Sequence, residues 1–198
     1  MLALAFSALG ADLKVIGGSA VIPAMEALVP QFERASGIRV TTDFDAAIGE
    51  MARRVQGSEA ADVVIVSRRQ LDELEAERKV LNGTVTNVAR LGVGVFVRKG
   101  AMRPDIGSVD AFKRAMLAAR SIGYNDPAAG APVSLYLIGA FERMGIAKEM
   151  ERKTVVFKQR SERFAAVARG DVEIGFNQIS EIIVVPDVDL VGPLPAEI

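Results

Sequence analysis

Leu13-Lys14-Val15-Ile16-Gly17-Gly18-Ser19-Ala20-Val21 is an apolar run that ends in two glycines and passes at once into a helical pattern. A strand that turns through glycines into a helix leaves the first helical N–H groups without intrahelical partners, and the helix dipole adds partial positive charge there. Such a turn is a small anion site. The second half of the chain repeats the arrangement. Ser121–Tyr124 reads as a strand, Asn125-Asp126-Pro127-Ala128-Ala129-Gly130 as a turn, and Pro132 as a first-turn helix residue. Two such turns in two halves point to one ligand gripped between two lobes.

Composition narrows the chemistry. The chain has 198 residues, enough for one domain or two small lobes with a real core. Its 24 Lys and Arg balance 25 Asp and Glu, with no long block of either sign, so neither nucleic acid nor a membrane surface is the expected main partner. The sequence contains no histidine and no cysteine. That removes zinc and iron–sulfur sites of the usual kind, Ser-His and Cys-His nucleophile pairs, and any disulfide framework. The expectation is binding without metal or cofactor. The opening Met1–Gly10, MLALAFSALG, is apolar and small, and Ala8-x-Gly10 has the form of a signal-peptidase site. Residues 1–11 therefore read as the end of an export signal, with a short buried segment as the alternative. Ten apolar residues fall short of the ~20 that span a bilayer.

Along the chain, short apolar runs alternate with amphipathic ones, the pattern of an α/β fold with mostly parallel sheets flanked by helices. Expected strands are Leu13–Ile16, Arg39–Phe44, Val63–Ser67, Val88–Val97, Ser121–Tyr124, Thr154–Phe157 and Glu173–Phe176. Val63-Val64-Ile65-Val66, apolar on both faces, suits a central parallel strand. Val21, Met25, Leu28 and Phe32 form one buried helical stripe that Gly37 ends, with Pro30 expected to kink or split it. Ser108 caps a helix carrying Val109, Phe112 and Met116; Gly145 closes one from about Pro132; Ser161 and Gly170 bracket another. The first lobe is expected over 12–87 plus 179–198 and the second over 88–178, joined by two hinge segments near Val88–Val97 and Gln178.

Ser19 is the foremost ligand candidate, because its hydroxyl and the N–H groups around Gly18 can donate to one oxyanion. The same serine would serve equally as a cap with no ligand. Arg68 and Arg69 follow the Val63–Ser67 strand, where ligands gather in open α/β sheets, and either could fork onto a carboxylate. As a pair on a helix start they read more simply as solvated. Asp43 and Asp45 end the second strand, and Asp45 can cap a helix beginning at Ala46-Ala47. Asn177 and Gln178 stand where the last strand of the second lobe gives way to the hinge. No carboxylate pair for acid–base work emerges.

In order and spacing these segments resemble the molybdate-binding-like branch of the type II periplasmic substrate-binding proteins of bacterial ABC importers. The matching pieces are Gly18-Ser19-Ala20, Phe32-Glu33-x-x-x-Gly37, Ala61-Asp62-Val63-Val64-Ile65, Asp126-Pro127-Ala128 and Gly170-Asp171-x-Glu173-Ile174-Gly175. The resemblance covers roughly residues 12 to 197. It implies a two-lobed type II periplasmic-binding-protein fold, a periplasmic location, a membrane permease as partner, and no catalysis. It carries over ligand contacts for Ser19 and for the backbone around Ala128–Ala131; with the readings above, the residues expected to line the ligand site are Gly18, Ser19, Ala46, Arg68, Ala128, Ala129, Gly130, Asn177 and Gln178. Asp45-Ala46-Ala47 stands where molybdate binders carry a second hydroxyl loop, and Gln178 where they carry a tyrosine. The expected ligand is therefore a small anion, oxyanion or carboxylate, rather than molybdate in particular. The resemblance further implies a strand and closing helices after the return crossing, where this sequence has only Val188–Val191 and Gly192-Pro193-Leu194-Pro195. Apolar surface is accordingly expected around Val184, Val185, Leu190 and Leu194, on a protein that is a monomer or associates through that surface. Two other functions fit the scaffold: isomerisation of a small polycarboxylate such as aconitate, and ligand sensing in a transcription regulator.

Overall fold

The structure, a computed structural model, describes residues 12–44 and 48–198. The expected export signal at 1–11 and the loop residues Asp45, Ala46 and Ala47 lie outside the described residues. The chain divides into two compact units, the first ending at Thr84 and the second running from Val85 to Ile198.

The first unit is built on a parallel three-stranded sheet in the order β2-β1-β3, with β1 Asp12–Gly17, β2 Arg39–Asp43 and β3 Val63–Ile65. Helices α1 Ile22–Ser36, α2 Ile48–Gln56 and α3 Arg68–Ala76 connect or follow the strands. The glycine pair at the end of β1, Gly17 and Gly18, allows close packing. A Cβ on Gly17 would stand 2.7 Å from the Ile65 carbonyl oxygen and 2.9 Å from Phe44 Cε1, and one on Gly18 would stand 2.9 Å from the Ile48 side chain. Gly37 caps α1 as expected, at φ 72° with its N–H donating to the Glu33 carbonyl.

Two expectations fail in this unit. The doubly apolar Val63-Val64-Ile65 run lies on the sheet edge beside β1, and Val63 is 44% exposed. An apolar run marks a strand but does not set its place in the sheet; β1 takes the centre because it pairs on both sides. The α1 stripe is likewise not buried: no residue of α1 is buried, with Leu28 56% and Phe32 44% exposed. Periodicity specifies that a helix is amphipathic, not that its apolar face is covered. Pro30 lies within α1 without dividing it.

A charged network fastens β1, β2 and α2 together. Arg54 Nη2 lies 2.6 Å from Asp43 Oδ2, Arg54 Nε lies 2.6 Å from Glu59 Oε2, and Lys14 Nζ lies 2.8 Å from Glu59 Oε1. Hydrogen bonds from Arg54 and then Lys14 hold the Glu59 carboxyl down at about 2, from an ordinary 4.5. A carboxyl depressed by folding adds stability that is complete above its unfolded value and is lost as pH falls toward its folded one. The first unit is therefore expected to lose melting temperature between about pH 4.5 and pH 2. Circular dichroism melts across that range check this, and Glu59→Gln should flatten the loss.

The second unit carries a five-stranded mixed sheet in the order β6-β5-β7-β4-β8. Its strands are β4 Val93–Arg98, β5 Ile122–Asn125, β6 Thr154–Phe157, β7 Ile174–Gln178 and β8 Val188–Pro193. β5, β6 and β7 run parallel, while β4 runs antiparallel to both β7 and β8. The helices are α4 Val109–Ala118, α5 Pro132–Arg143, α6 Ala147–Lys153, α7 Arg160–Arg169 and α8 Ile179–Ile182. Ser108 caps α4 through the Ala111 N–H, and Phe112 and Met116 point into the core as their spacing predicts. The long strand expected at Val88–Val97 starts only at Val93; 85–92 is irregular.

Residues 179–198, expected to return to the first lobe, differ from that reading: they form α8 and β8, and β8 pairs with β4 in this second sheet. Leu190 and Leu194 pack against its core rather than lying bare, whereas Ile183 and Val184 are exposed. β8 fills the side of β4 that faces away from β7, pairing from Gly94–Pro193 to Arg98–Val188.

Each face of the sheet has its own core. Phe112, Phe141 and Phe176, with Ile122, Met116, Leu137 and Met150, fill the α4–α5–α6 face. Phe96, Phe164, Val167, Val172 and Ile182 fill the face under α7 and α8.

Candidate anion-binding site

Both turns singled out in the sequence sit at the carboxyl ends of parallel strands. In the first unit β1 ends at Gly17, Ser19–Val21 forms one 3-10 turn, and α1 follows directly. The Gly18 N–H is not a ligand donor as expected, because it donates to the Ile65 carbonyl at 3.1 Å, an extension of the β1–β3 pairing. Ser19 and Val21 of this turn are half-buried and Ala20 between them is buried, so Ser19 is the polar side chain that the turn leaves at its surface.

Arg68 departs from its expected role. It lies 2.8 Å from Asp72 and 3.6 Å from Glu75, on its own helix and largely exposed, which is the solvated arrangement. Arg69 likewise pairs with Glu73 on that helix. The strand end is instead organised by Ser67 and buried Gln70 in a reciprocal capping box. Asp43 is held by Arg54. Ala46 lies outside the described residues.

In the second unit the turn after β5 is satisfied internally, contrary to the expectation for Ala128, Ala129 and Gly130. Ala128 N–H donates to Asp126 Oδ1 at 2.9 Å, Ala129 N–H to the Asp126 carbonyl, and Gly130 N–H to the Pro127 carbonyl. The next turn of the chain differs. In α5, Pro132 has no N–H, and the N–H groups of Val133 and Ser134 belong to the first turn, where no intrahelical acceptor exists. Ser134 Oγ is turned back and donates to the Asn125 carbonyl, tying α5 to the end of β5.

Asn177 is buried and donates from Nδ2 to Glu181 Oε2 at 3.0 Å, so its amide is engaged inside the unit. Gln178 is half-buried at the junction of β7 and α8. Sequence reasoning missed Arg163. It is 1% exposed, and its Nη1–H donates to Asn125 Oδ1, while Nε and Nη2 have no hydrogen-bond partner. Burial pulls its guanidinium down to about 10, opposed by the charge of Glu181. The only sequence signal was an arginine in the apolar register of a helix, three residues after Arg160 and before Phe164-Ala165-Ala166-Val167.

A groove of about 550 Å³ in this unit, lined by Met102, Arg103, Arg114, Arg120 and Glu173 among others, lies at the opposite end of β5 and β7, away from these turns. Among the described residues no group of acidic side chains is arranged to hold a metal ion, and no helix is long and apolar enough to cross a membrane.

Two α/β units of this build, with helix starts at the carboxyl ends of their parallel strands, define the type II periplasmic-binding-protein fold. The chain belongs to the bacterial extracellular solute-binding protein family, whose model matches residues 13–198. It is 31% identical over 187 residues to an aconitate isomerase from a Pseudomonas species, a match covering 92% of this chain and 70% of that one. Among solved structures it is similar to a substrate-binding domain assigned to a molybdenum ABC transporter of Clostridium difficile, with TM-score 0.73 and 14% identity over 95% of this chain and 80% of that chain. It is also similar to the periplasmic molybdate-binding protein of Azotobacter vinelandii, with TM-score 0.70 and 16% identity over 93% and 77%.

Proposed function

We propose that this protein is an extracytoplasmic solute-binding protein of an ABC importer that captures one small anion, using Ser19 of the first unit and the first turn of α5 in the second. The observation that carries the reading is the pair of helix starts at the carboxyl ends of parallel strands, where the helix dipole favours negative charge, in a chain of the solute-binding family. A periplasmic location, closure of the two units on the solute through their connecting segments, and delivery to a membrane permease follow from the same reading. The names of the structural neighbours favour a tetrahedral oxyanion. The name of the 31% identical relative favours a polycarboxylate.

A thermal-shift screen in phosphate-free buffer tests this, with molybdate, tungstate, sulfate and phosphate set against cis-aconitate, trans-aconitate and citrate. Ligand at 100 times its dissociation constant adds about 2.7 kcal/mol, a shift of several degrees. Ser19→Ala should weaken the responding anion by about tenfold or more, because a hydrogen bond to a charged group contributes roughly 1.5–3 kcal/mol. An unchanged affinity would remove Ser19 from the site.

Aconitate isomerisation is the second reading, favoured by that relative. Proton abstraction beside a carboxylate needs a general base. Without histidine that base is Asp43, Asp45 or a tyrosine; Asp43 is engaged by Arg54, which leaves Asp45 or a tyrosine. Incubation with one aconitate isomer, followed by NMR, decides it. Turnover that disappears in Asp45→Asn would establish the enzyme, and binding without turnover would establish the transport protein.

A further inference from the structure

Asn125 and Arg163 form an arrangement that the turns alone do not explain. Gly123 and Gly175 are register partners on β5 and β7, so Asn125 and Asn177, each two residues on, share one face at the carboxyl edge of the sheet. Beneath that face α7 brings Arg163, whose Nη1–H donates to Asn125 Oδ1. A guanidinium has no acceptor, so this contact fixes the orientation of the amide, with Oδ1 inward and the Nδ2 donors turned away from the arginine. Nδ2 makes no hydrogen bond among the described residues. The Asn125 carbonyl accepts from Ser134 Oγ, so the half-buried residue stands against the first turn of α5.

The charge behind this amide is unbalanced. Arg160 and Arg163 face one buried carboxylate, Glu181. That carboxylate already accepts from Asn177 and has Arg160 Nε at 2.7 Å. Arg163 keeps two nitrogens without hydrogen-bond partners, and its Cζ lies 5.5 Å from the centroid of the Phe164 ring. A buried cation so poorly matched is costly to a structure that uses it only for packing. The carboxylate on the turn, Asp126, is engaged by the Ala128 N–H.

We propose that Asn125, oriented and polarised by Arg163, is a ligand-binding residue that donates to an ionised oxyanion group of the solute, together with the first turn of α5. Arg163 is the positioning residue: it acts through Asn125 and through its charge. The inference rests on the anion-binding reading above and names the second-unit residues of that site.

The test is Asn125→Asp, with Asn125→Ala alongside, each titrated by calorimetry with molybdate and with cis-aconitate and each melted without ligand. Asn125→Asp gives Arg163 the carboxylate it lacks, so its melting temperature should equal or exceed that of the natural protein. The same carboxylate opposes the solute, so affinity should fall at least tenfold. Asn125→Ala should also lose about tenfold. Loss for molybdate alone assigns the group to a tetrahedral oxyanion, and loss for cis-aconitate alone to a carboxylate; either supports the proposal. Both variants binding within twofold of the natural protein would overturn it while leaving the anion-binding reading intact. A natural protein that binds neither probe would overturn both.

Discussion

Gly175→Ala is expected to destabilise the second unit by about 3 kcal/mol or more and to lower its melting temperature by on the order of 10 °C. A Cβ at this position would stand 2.2 Å from Phe96 Cζ and 2.5 and 2.6 Å from two further atoms of the same ring. The ring has no room to give way: Phe96 is fully buried and stacked on Phe164 with centroids 4.7 Å apart. Either β7 shifts away from β4, breaking the Phe96–Gly175 register, or Phe96 leaves its place. Thermal or urea unfolding measures the loss. A change below 1 kcal/mol would show that the Phe96–β7 contact is not as close as described.

Phe176→Ala acts on the opposite face of the same strand. Phe176 is fully buried and meets both Phe112 and Phe141 edge to face, at centroid distances of 6.2 and 6.5 Å. Truncation removes the ring from a core also walled by Ile122 and Leu137, which belong to separate elements and cannot all collapse inward. The expected cost is about 3–5 kcal/mol, part lost transfer energy and part cavity. Phe176→Leu, which retains most of the volume, should cost less than half as much in the same urea experiment. Equal costs would mean that the aromatic edge contacts, and not filled volume, hold this core.

Much of the fold was legible from local chemistry. Thr154–Phe157 is a strand as its apolar run predicts, Gly37 and Gly170 close their helices in the left-handed conformation, and Ser108 caps α4 through its side chain. These features depend on residues within a few positions of one another. What escaped depends on distant partners. Val63–Ile65 has the composition of a central strand but lies at an edge, because its place is set by what pairs with β1. Residues 179–198 join the second sheet because β4 offers an unpaired side, which no window of sequence reveals.

The candidate site divides the same way. Ser19 and the turn before α5 were visible as a strand, small residues and a helix start. The assignment of individual donors was not. Gly18 and Ala128 to Gly130 spend their N–H groups within the unit, and Arg68 turns to Asp72, because each finds a nearer acceptor than a solute. Arg163 could not be picked out at all. One of many arginines in the sequence, it acquires meaning only when α7 lays it under Asn125 with two nitrogens unmatched.

The central claim is that this chain binds a small anion through Ser19 and the first turn of α5. Isothermal titration of the folded protein in phosphate-free buffer, with molybdate and cis-aconitate in separate runs, tests it most directly. The account predicts a saturable 1:1 isotherm for at least one of them, weakened about tenfold or more by Ser19→Ala. A natural protein that is folded by circular dichroism, yet gives no heat with either anion and no melting shift with any member of the wider panel, would contradict it.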